Sequence, residues 1–287
     1  MNSEAPQTCR IPATGITLAY VSRGSGPLVI FLHGFPDTYC GFLPILDRVA
    51  AAGYRAVALA MRGYAPSALA PGGDYRIEAL AGDVIGLADA LGAEQFAVVG
   101  HDWGAVTAYA AAHLAPQRVT RLVTAAVPHT GHFLLRMRWQ QLRRSSYMLR
   151  FQLPWFPEWE IPRDDYRWLE QLIARWSPGW AFGDTELRPL KQNFDEPGRL
   201  KAALSYYRQL SGSLISPASR RLVFPAVTVP TRMIYGGRDG CIAPAMFQGQ
   251  KPHFTAGLDL VAMPDAGHFM QWEQAGRFAD LVVGFLM

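Results

Sequence analysis

An apolar strand that runs straight into a tight, glycine-flanked turn is the feature that most constrains this chain. The apolar run that ends at Val99 is followed at once by the pentapeptide Gly-His-Asp-Trp-Gly, with Asp102 at its centre. Glycine at both ends permits a sharp bend from strand into helix, because a Cβ at either place would collide with neighbouring backbone. Such a bend lifts its middle side chain above the end of a sheet. Asp102 is therefore either a reactive group at that edge or a helix cap that accepts backbone N–H bonds.

The alternation of elements along the chain predicts an α/β fold. Short apolar runs alternate with amphipathic stretches, which indicates a mostly parallel sheet with helices on both faces. Half of the 287 residues are hydrophobic, enough for one large domain or a domain with an inserted lobe. The predicted strands are 16–21, 28–32, 55–59, 95–99, 121–126, 231–235 and 258–262, and the predicted helices are 39–52, 75–91, 103–115, 242–253 and 270–286.

The strand pattern stops between about residues 130 and 225, where prolines, among them Pro154, Pro157, Pro162, Pro178, Pro189 and Pro197, punctuate a helical stretch. Six of the eight tryptophans fall in this stretch, and we expect most of its aromatic side chains to form its own core and some to face a cleft. The sequence predicts an inserted helical lid at 131–224 and a catalytic core made of 1–130 and 225–287.

Charge and cysteine content exclude several classes of protein. The net charge of +4 comes from scattered arginines without a nucleic-acid-binding motif, so we expect no nucleic-acid partner. Three cysteines, none in a C-x-x-C pair, argue against a disulfide scaffold or a structural metal. The first ten residues lack a signal-peptide pattern, and no apolar run is long enough to span a bilayer. These observations favour a cytoplasmic location.

A reactive group on such a turn needs a base, an acid that orients the base, and donors for an oxyanion. In α/β-hydrolases the order along the chain is nucleophile, acid, histidine. Asp239 follows a predicted strand and His268 follows the last one, at the sheet edge where such folds bind ligands. Asp265 competes for the acid role, although it lies very near His268 in sequence. The nucleophile itself is Asp102, and an aspartate can displace a leaving group from saturated carbon, which leaves an alkyl ester.

The loop after strand 28–32 supplies the predicted oxyanion donors. A His-Gly pair there places one backbone N–H, that of Phe35, beside the nucleophile, and the residue after the nucleophile, Trp103, supplies the second. His33 is interpreted as an internal brace, and His101, next to the nucleophile, as structural.

Four motifs occur in a recognisable order along the chain: His33-Gly34-Phe35-Pro36-Asp37, Arg62-Gly63-Tyr64, Gly100-His101-Asp102-Trp103-Gly104 and Gly267-His268-Phe269-Met270-Gln271. With them the chain resembles the epoxide hydrolases of the α/β-hydrolase fold over nearly its whole length. That family carries two lid tyrosines, one upstream of a Phe-Gln pair and one in a Tyr-Arg dipeptide. The resemblance points to Tyr147 and Tyr207, with Tyr206 as the alternative to Tyr207. The other interpretation is that they are core aromatics of the lid.

The resemblance implies an enzyme that converts apolar aryl or alkyl epoxides to vicinal diols with water and without a metal or organic cofactor. The tyrosines hold the epoxide oxygen, Asp102 forms an ester with a ring carbon, and His268, oriented by Asp239, activates the water that cleaves it. Haloalkane and haloacetate dehalogenases share the aspartate and remain the alternative. A catalytically silent ligand-binding protein on the same fold is the remaining alternative.

Overall fold

An eight-stranded sheet forms the centre of the computed structural model, which describes residues 7–11, 15–137 and 139–287. Its spatial order is β1-β2-β4-β3-β5-β6-β7-β8. Strand β2 pairs antiparallel with both β1 and β4. All other neighbouring strands in this order pair parallel. The strands are β1 Gln7–Ile11, β2 Ile16–Arg23, β3 Leu28–Leu32, β4 Arg55–Ala60, β5 Phe96–His101, β6 Val119–Ala125, β7 Thr231–Gly236 and β8 Leu258–Met263.

Helices cover both faces of the sheet, as a parallel sheet requires. The α-helices of the described residues are α1 Leu43–Ala51, α2 Ile77–Ala90, α3 Trp103–Leu114, α4 Thr130–Arg136, α5 Trp139–Arg144, α6 Tyr147–Phe151, α7 Phe156–Glu160, α8 Arg163–Trp176, α9 Asp184–Asp195, α10 Arg199–Ile215, α11 Pro217–Val223, α12 Met270–Glu273 and α13 Ala275–Leu286. Helices α1 and α13 pack on one face, and α2 and α3 pack on the other. The central strands β3 and β5 are buried along their whole length, which explains their continuous apolar sequences.

Helices α4 to α11 all lie between β6 and β7, and we call residues 130–223 the helical insertion. Its last helix, α11, packs against α2 and α3 of the sheet layer. A ring nitrogen of His113, in α3, is 2.9 Å from the carbonyl oxygen of Leu222, in α11. The insertion is therefore anchored to the sheet layer near the place where the chain returns to it.

The structure confirms the predicted fold class and corrects two details. Strand β1 is absent from the sequence prediction, and it adds an antiparallel edge to the sheet. The helix predicted at 242–253 is wrong, because this segment forms two short 3₁₀ turns, Pro244–Phe247 and Lys251–His253. Gly249 between them has a φ of 71°, and Pro252 restricts the residue before it, so a continuous helix cannot form.

None of the described helices combines the length and the apolar character needed to cross a membrane. In the same residues no three His, Cys, Asp or Glu side chains are grouped so that they could hold a metal ion.

Candidate active site

Asp102 occupies the joint between β5 and α3 in a backbone conformation that few residues adopt. Its φ and ψ are 52° and −118°, and such strain typically costs about 1–3 kcal/mol and gathers at functional sites. The flanking glycines make the bend possible. A Cβ on Gly100 would overlap the carbonyl of Gly104, and a Cβ on Gly104 would overlap the carbonyl of Leu32. Asp102 makes no side-chain bond to the backbone of α3, so the capping alternative does not describe it.

A backbone amide of the loop after β3 contacts the Asp102 carboxylate. The N–H of Phe35 donates to Oδ1 over 2.8 Å. Gly34 allows this approach, because a Cβ there would overlap the Asp102 side chain. Trp103 is the first residue of α3, whose first N–H groups have no acceptor within the helix. The loop after β3 is braced by His33, whose Nε2 accepts from the N–H of Met61 over 3.1 Å.

His268 lies between two carboxylates. Its Nδ1 donates to Oδ2 of Asp239 over 2.9 Å, and its Nε2 is 3.6 Å from Oδ2 of Asp102. The other oxygen of Asp239 accepts from the backbone N–H groups of Cys241 and Ile242 at 2.7 and 2.9 Å. Asp265, the competing acid, is exposed and lies 3.5 Å from Arg238 instead.

The two carboxylates beside His268 favour a charged imidazole in the resting protein. Burial opposes a charge on His268, but the carboxylates of Asp239 and Asp102 outweigh it and raise its pKa to about 10. His101 is different, because burial and the nearby His268 lower its pKa to about 3. The neutral His101 ring donates from Nε2 to the carbonyl oxygen of His268 over 2.8 Å, so it holds the loop that carries His268.

Tyr147 and Tyr207 face the same cavity as Asp102, although they come from α6 and α10. Their ring centroids are 5.8 Å apart. The Oη of Tyr207 is buried and has no hydrogen-bond partner of ordinary geometry among the described residues, whereas the Oη of Tyr147 lies 3.7 Å from Sγ of Cys241. Burial raises the pKa of both phenols well above the usual range, so both are protonated at neutral pH.

Tyr206, the alternative to Tyr207, points elsewhere. Its Oη donates to the carbonyl oxygen of Arg62 over 2.8 Å, and its ring packs on Tyr75 at 5.6 Å. The Arg62 side chain is itself buried in an ion pair with Asp83. The hydroxyl of Tyr206 is thus already used in a structural contact, in contrast to that of Tyr207.

The cavity above Asp102 is small and apolar, with a volume of about 50 Å³. Thr130 and Ser145 add two hydroxyl groups to its wall, and the rest of the wall is mostly aliphatic, with Phe133 and with Val106, Val127, Leu134, Met148, Leu210 and Ile242. Some aromatic side chains of the insertion lie outside its core. Trp139, Trp155 and Trp159 are 73%, 82% and 59% exposed. The apolar lining comes from helices of both the sheet layer and the insertion.

Two contributions to the site had no signal in the sequence. The carbonyl oxygen of Trp176, at the end of α8, accepts from the N–H groups of both Gly240 and His268, at 2.9 and 3.0 Å. It therefore holds together the two loops that carry Asp239 and His268. Cys241 is one of the three cysteines of the sequence, and only the fold brings its Sγ to the hydroxyl of Tyr147. No motif marks either residue.

A third contribution lies within the recognised motifs. Asp37 is buried and accepts from Nε1 of Trp272 and from Nε2 of Gln271, both over 3.1 Å. The amide of Gln271 also lies 3.2 Å from Nδ1 of His101. Burial raises the pKa of Asp37 to about 7, against the hydrogen bonds that it accepts. Asp37 thus connects the loop after β3 to the loop after β8.

Comparison with known proteins agrees with this geometry. The sequence matches the α/β hydrolase fold family over residues 27–275. It is 33% identical over 285 residues to the AB hydrolase superfamily protein YfhM of Bacillus subtilis (strain 168), with 96% of each chain covered. It is 30% identical over 288 residues to epoxide hydrolase 4 of Homo sapiens, and this alignment covers 96% of this chain and 77% of the human protein. The crystal structure of Bacillus megaterium epoxide hydrolase in complex with an inhibitor superimposes with a TM-score of 0.85 at 27% identity, over 98% of this chain and 99% of that one. The chain therefore belongs to the α/β hydrolase fold family, and within it to the epoxide hydrolases.

Proposed function

We propose that this protein hydrolyses apolar epoxides to vicinal diols through an ester formed on Asp102. The observation that carries the proposal is an aspartate at the strained strand–helix joint, facing two phenols in one apolar cavity. A carboxylate at that position suits displacement at saturated carbon. The phenols suit a leaving group that stays attached to the substrate as an alkoxide and needs a proton.

In the first step, a carboxylate oxygen of Asp102 attacks a ring carbon. A carbon–oxygen bond forms, the ring carbon–oxygen bond breaks, and its electron pair goes to the epoxide oxygen. Tyr207 and Tyr147 donate hydrogen bonds to that oxygen, and one of them transfers its proton. Such general acid help is typically worth about 10²–10⁴-fold. The hydroxyl of Tyr207, which faces the cavity without a hydrogen-bond partner of ordinary geometry, supports it as the principal donor.

In the second step, water cleaves the ester. His268 takes a proton from the water, and the hydroxide attacks the carbonyl carbon of the ester. The bond between that carbon and the ester oxygen then breaks, and the departing alkoxide takes the proton from His268 and leaves as the diol. The remaining carboxyl proton of Asp102 returns to the phenol, which restores the carboxylate and the proton donor. The amides of Phe35 and Trp103 stabilise the resulting oxyanion, and losing one such donor typically costs about 3–4 kcal/mol. Esterification also removes the charge of Asp102, which is one cause of the raised pKa of His268. The pKa of His268 therefore falls at the stage when a base is needed.

We also propose that residues 131–224 form a lid over a catalytic core of residues 1–130 and 225–287. Tyr147 and Met148 of α6 and Tyr207 of α10 line the cavity from the insertion, while Asp102 lines it from the sheet edge. The reaction requires both parts, and it uses no metal or organic cofactor.

A turnover panel tests the activity. Styrene oxide, 1-chlorobutane and fluoroacetate are offered to the wild type and to Asp102→Ala, with diol and halide release measured. We expect diol from the epoxide alone and none from the variant. Halide release without epoxide turnover would instead favour a dehalogenase.

An isotope experiment tests the ester. In a single turnover in ¹⁸O-water with enzyme in excess, the new oxygen of the diol comes from Asp102, so the diol stays unlabelled and the Asp102 peptide gains the label. A labelled diol in the first turnover would mean that water attacks the epoxide directly.

A further inference from the structure

A series of buried hydrogen bonds joins the loop after β3 to the backbone of the proposed base. Nε2 of Gln271, in α12, donates to Oδ2 of Asp37 over 3.1 Å and lies 3.2 Å from Nδ1 of His101. Nε2 of His101 lies 2.8 Å from the carbonyl oxygen of His268. All four residues are at most 5% exposed, so water competes little for these bonds. Asp37 is therefore connected to the His268 backbone through two side chains.

The Gln271 amide has two N–H groups, and the series uses both of them. An amide nitrogen donates but does not accept, so Nδ1 of His101 must be the unprotonated nitrogen of the ring. Burial and the nearby His268 lower the pKa of His101 to about 3, so the ring is neutral and carries its one proton on Nε2. That proton is donated to the carbonyl oxygen of His268. The orientation of the Gln271 amide thus determines the tautomer of His101.

The Gln271 amide keeps this orientation although its own oxygen is left unused. Oε1 of Gln271 is buried and has no hydrogen-bond partner of ordinary geometry among the described residues. Reversing the amide would allow Oε1 to accept from Nδ1 of the other His101 tautomer, but it would also place Oε1 against the Asp37 carboxylate. Two acceptors in contact are costly in a buried site. The charge of Asp37 accounts for the orientation.

We propose that Asp37 is a positioning residue that orients the Gln271 amide and thereby sets the His101 tautomer, which holds the carbonyl oxygen of His268. This role rests on the proposed function only in so far as His268 is the base, since the tautomer exists with or without substrate.

The substitution Asp37→Asn conserves the size of the side chain and removes its charge. Oδ1 of Asp37 accepts from the N–H of Thr38 over 2.8 Å and from Nε1 of Trp272 over 3.1 Å, so an amide nitrogen cannot take its place. The new nitrogen must therefore lie where Oδ2 was and face Gln271. The Gln271 amide then reverses, the proton of His101 moves to Nδ1, and the hydrogen bond to His268 is lost.

Protonation of the Asp37 carboxylate should have the same effect. Burial raises the pKa of Asp37 to about 7 against the hydrogen bonds that it accepts, and the charge of Asp102 raises it further. A carboxyl O–H at Oδ2 faces Gln271 as a donor, so the amide reverses. The His101 tautomer should therefore change as the pH falls through about 7.

The other titratable groups that face Asp37 keep a single charge state in this pH range. Burial raises the pKa of the Cys40 thiol and of the Tyr64 phenol, so both stay protonated. Burial lowers the pKa of His33 to about 4, so its ring stays neutral. A transition near pH 7 would thus report on Asp37.

NMR of the ¹⁵N-labelled imidazole nitrogens shows the tautomer directly and needs no substrate. The wild type is titrated from about pH 8.5 to about pH 5.5, which covers both charge states of a carboxyl with a pKa of about 7. Asp37→Asn and Trp272→Phe are measured beside it. Trp272→Phe is the matched control, because it removes a hydrogen bond to Asp37 but leaves the series from Asp37 to His268 intact.

At about pH 8.5, where Asp37 is charged, we expect the His101 proton on Nε2 in the wild type and in Trp272→Phe, and on Nδ1 in Asp37→Asn. In the wild type the proton should move to Nδ1 as the pH falls, and in Asp37→Asn it should not respond. A wild-type tautomer that is independent of pH, or an unchanged tautomer in Asp37→Asn, would overturn the proposal. The wild-type titration decides even if Asp37→Asn does not fold.

Single turnovers with styrene oxide connect the tautomer to the reaction. Asp37→Asn should slow ester hydrolysis by up to about 10-fold, as expected for one net hydrogen bond, and leave ester formation unchanged. Trp272→Phe should keep both rates. A changed tautomer with wild-type ester hydrolysis would refute the positioning role. If the wild type does not hydrolyse styrene oxide, the proposed function is in question, while the NMR titration still decides whether Asp37 sets the tautomer.

Discussion

Removing the hydroxyls of the neighbouring residues Tyr206 and Tyr207 one at a time should change stability in opposite directions, and only the change at Tyr207 should slow catalysis. Tyr207 has a buried Oη without a partner of ordinary geometry, and Tyr206 donates to the carbonyl oxygen of Arg62 over 2.8 Å. Phe conserves the ring in both cases. Each variant therefore isolates a single hydroxyl.

Stability should rise in Tyr207→Phe. A buried polar group without a partner costs about 1–3 kcal/mol, so its removal should increase the free energy of unfolding by about 1 kcal/mol. For a chain of this size that corresponds to a Tm increase of roughly 2 °C. Tyr206→Phe removes a made hydrogen bond and leaves the Arg62 carbonyl short of a donor, so it should lose about 1–2 kcal/mol.

The rate of ester formation should fall in Tyr207→Phe, although that variant is the more stable one. Tyr207→Phe removes a donor to the epoxide oxygen and should slow ester formation by about 10²-fold or more, with residual activity from Tyr147. Tyr206→Phe should keep ring opening near the wild-type rate. A gain in stability together with a loss in rate is the pattern expected of a functional polar group.

Stopped-flow single turnovers with styrene oxide measure ester formation, and urea unfolding measures stability. The assignment fails if Tyr207→Phe opens the ring at the wild-type rate while Tyr206→Phe does not. A destabilised Tyr207→Phe would show that its hydroxyl has a partner in solution, which would refute the stability argument separately.

Three further predictions concern the base and the cavity. His268→Gln should still open the epoxide but accumulate an ester on Asp102, visible as an adduct by intact-protein mass spectrometry; an unmodified inactive protein would contradict this. The pKa of His268 is raised from 6.5 to about 10, so its contribution to stability is complete below pH 6.5 and is lost as the pH rises towards 10. Urea unfolding should therefore show a decrease of about 1.4 kcal/mol per unit between about pH 7.5 and about 8.5, and a smaller slope in Asp239→Asn. Met148→Ala removes a side chain from the wall of the small cavity, so its kcat/KM should improve for naphthyl epoxides relative to styrene oxide; an unchanged ratio would show that Met148 does not limit substrate size.

The sequence predicted most of the fold because its signals are local. Alternation of apolar strands and amphipathic helices indicated the parallel sheet, and the glycines around Asp102 indicated the bend. The missing strand β1 is short and lies at the edge, where pairing with β2 rather than its own pattern stabilises it. The helix wrongly predicted at 242–253 has an apolar pattern, but Gly249 and Pro252 break the backbone there.

The sequence by itself determined the chemical identity of the site. It placed an aspartate on the bend and a histidine and an aspartate after later strands, since each follows from motif and order along the chain. Only the tertiary structure showed that Tyr207 faces the cavity and Tyr206 does not, because adjacent residues on a helix point in different directions and Tyr206 turns towards Arg62. It also decided the pKa of His268, which depends on the distances to carboxylates far away in sequence and on burial.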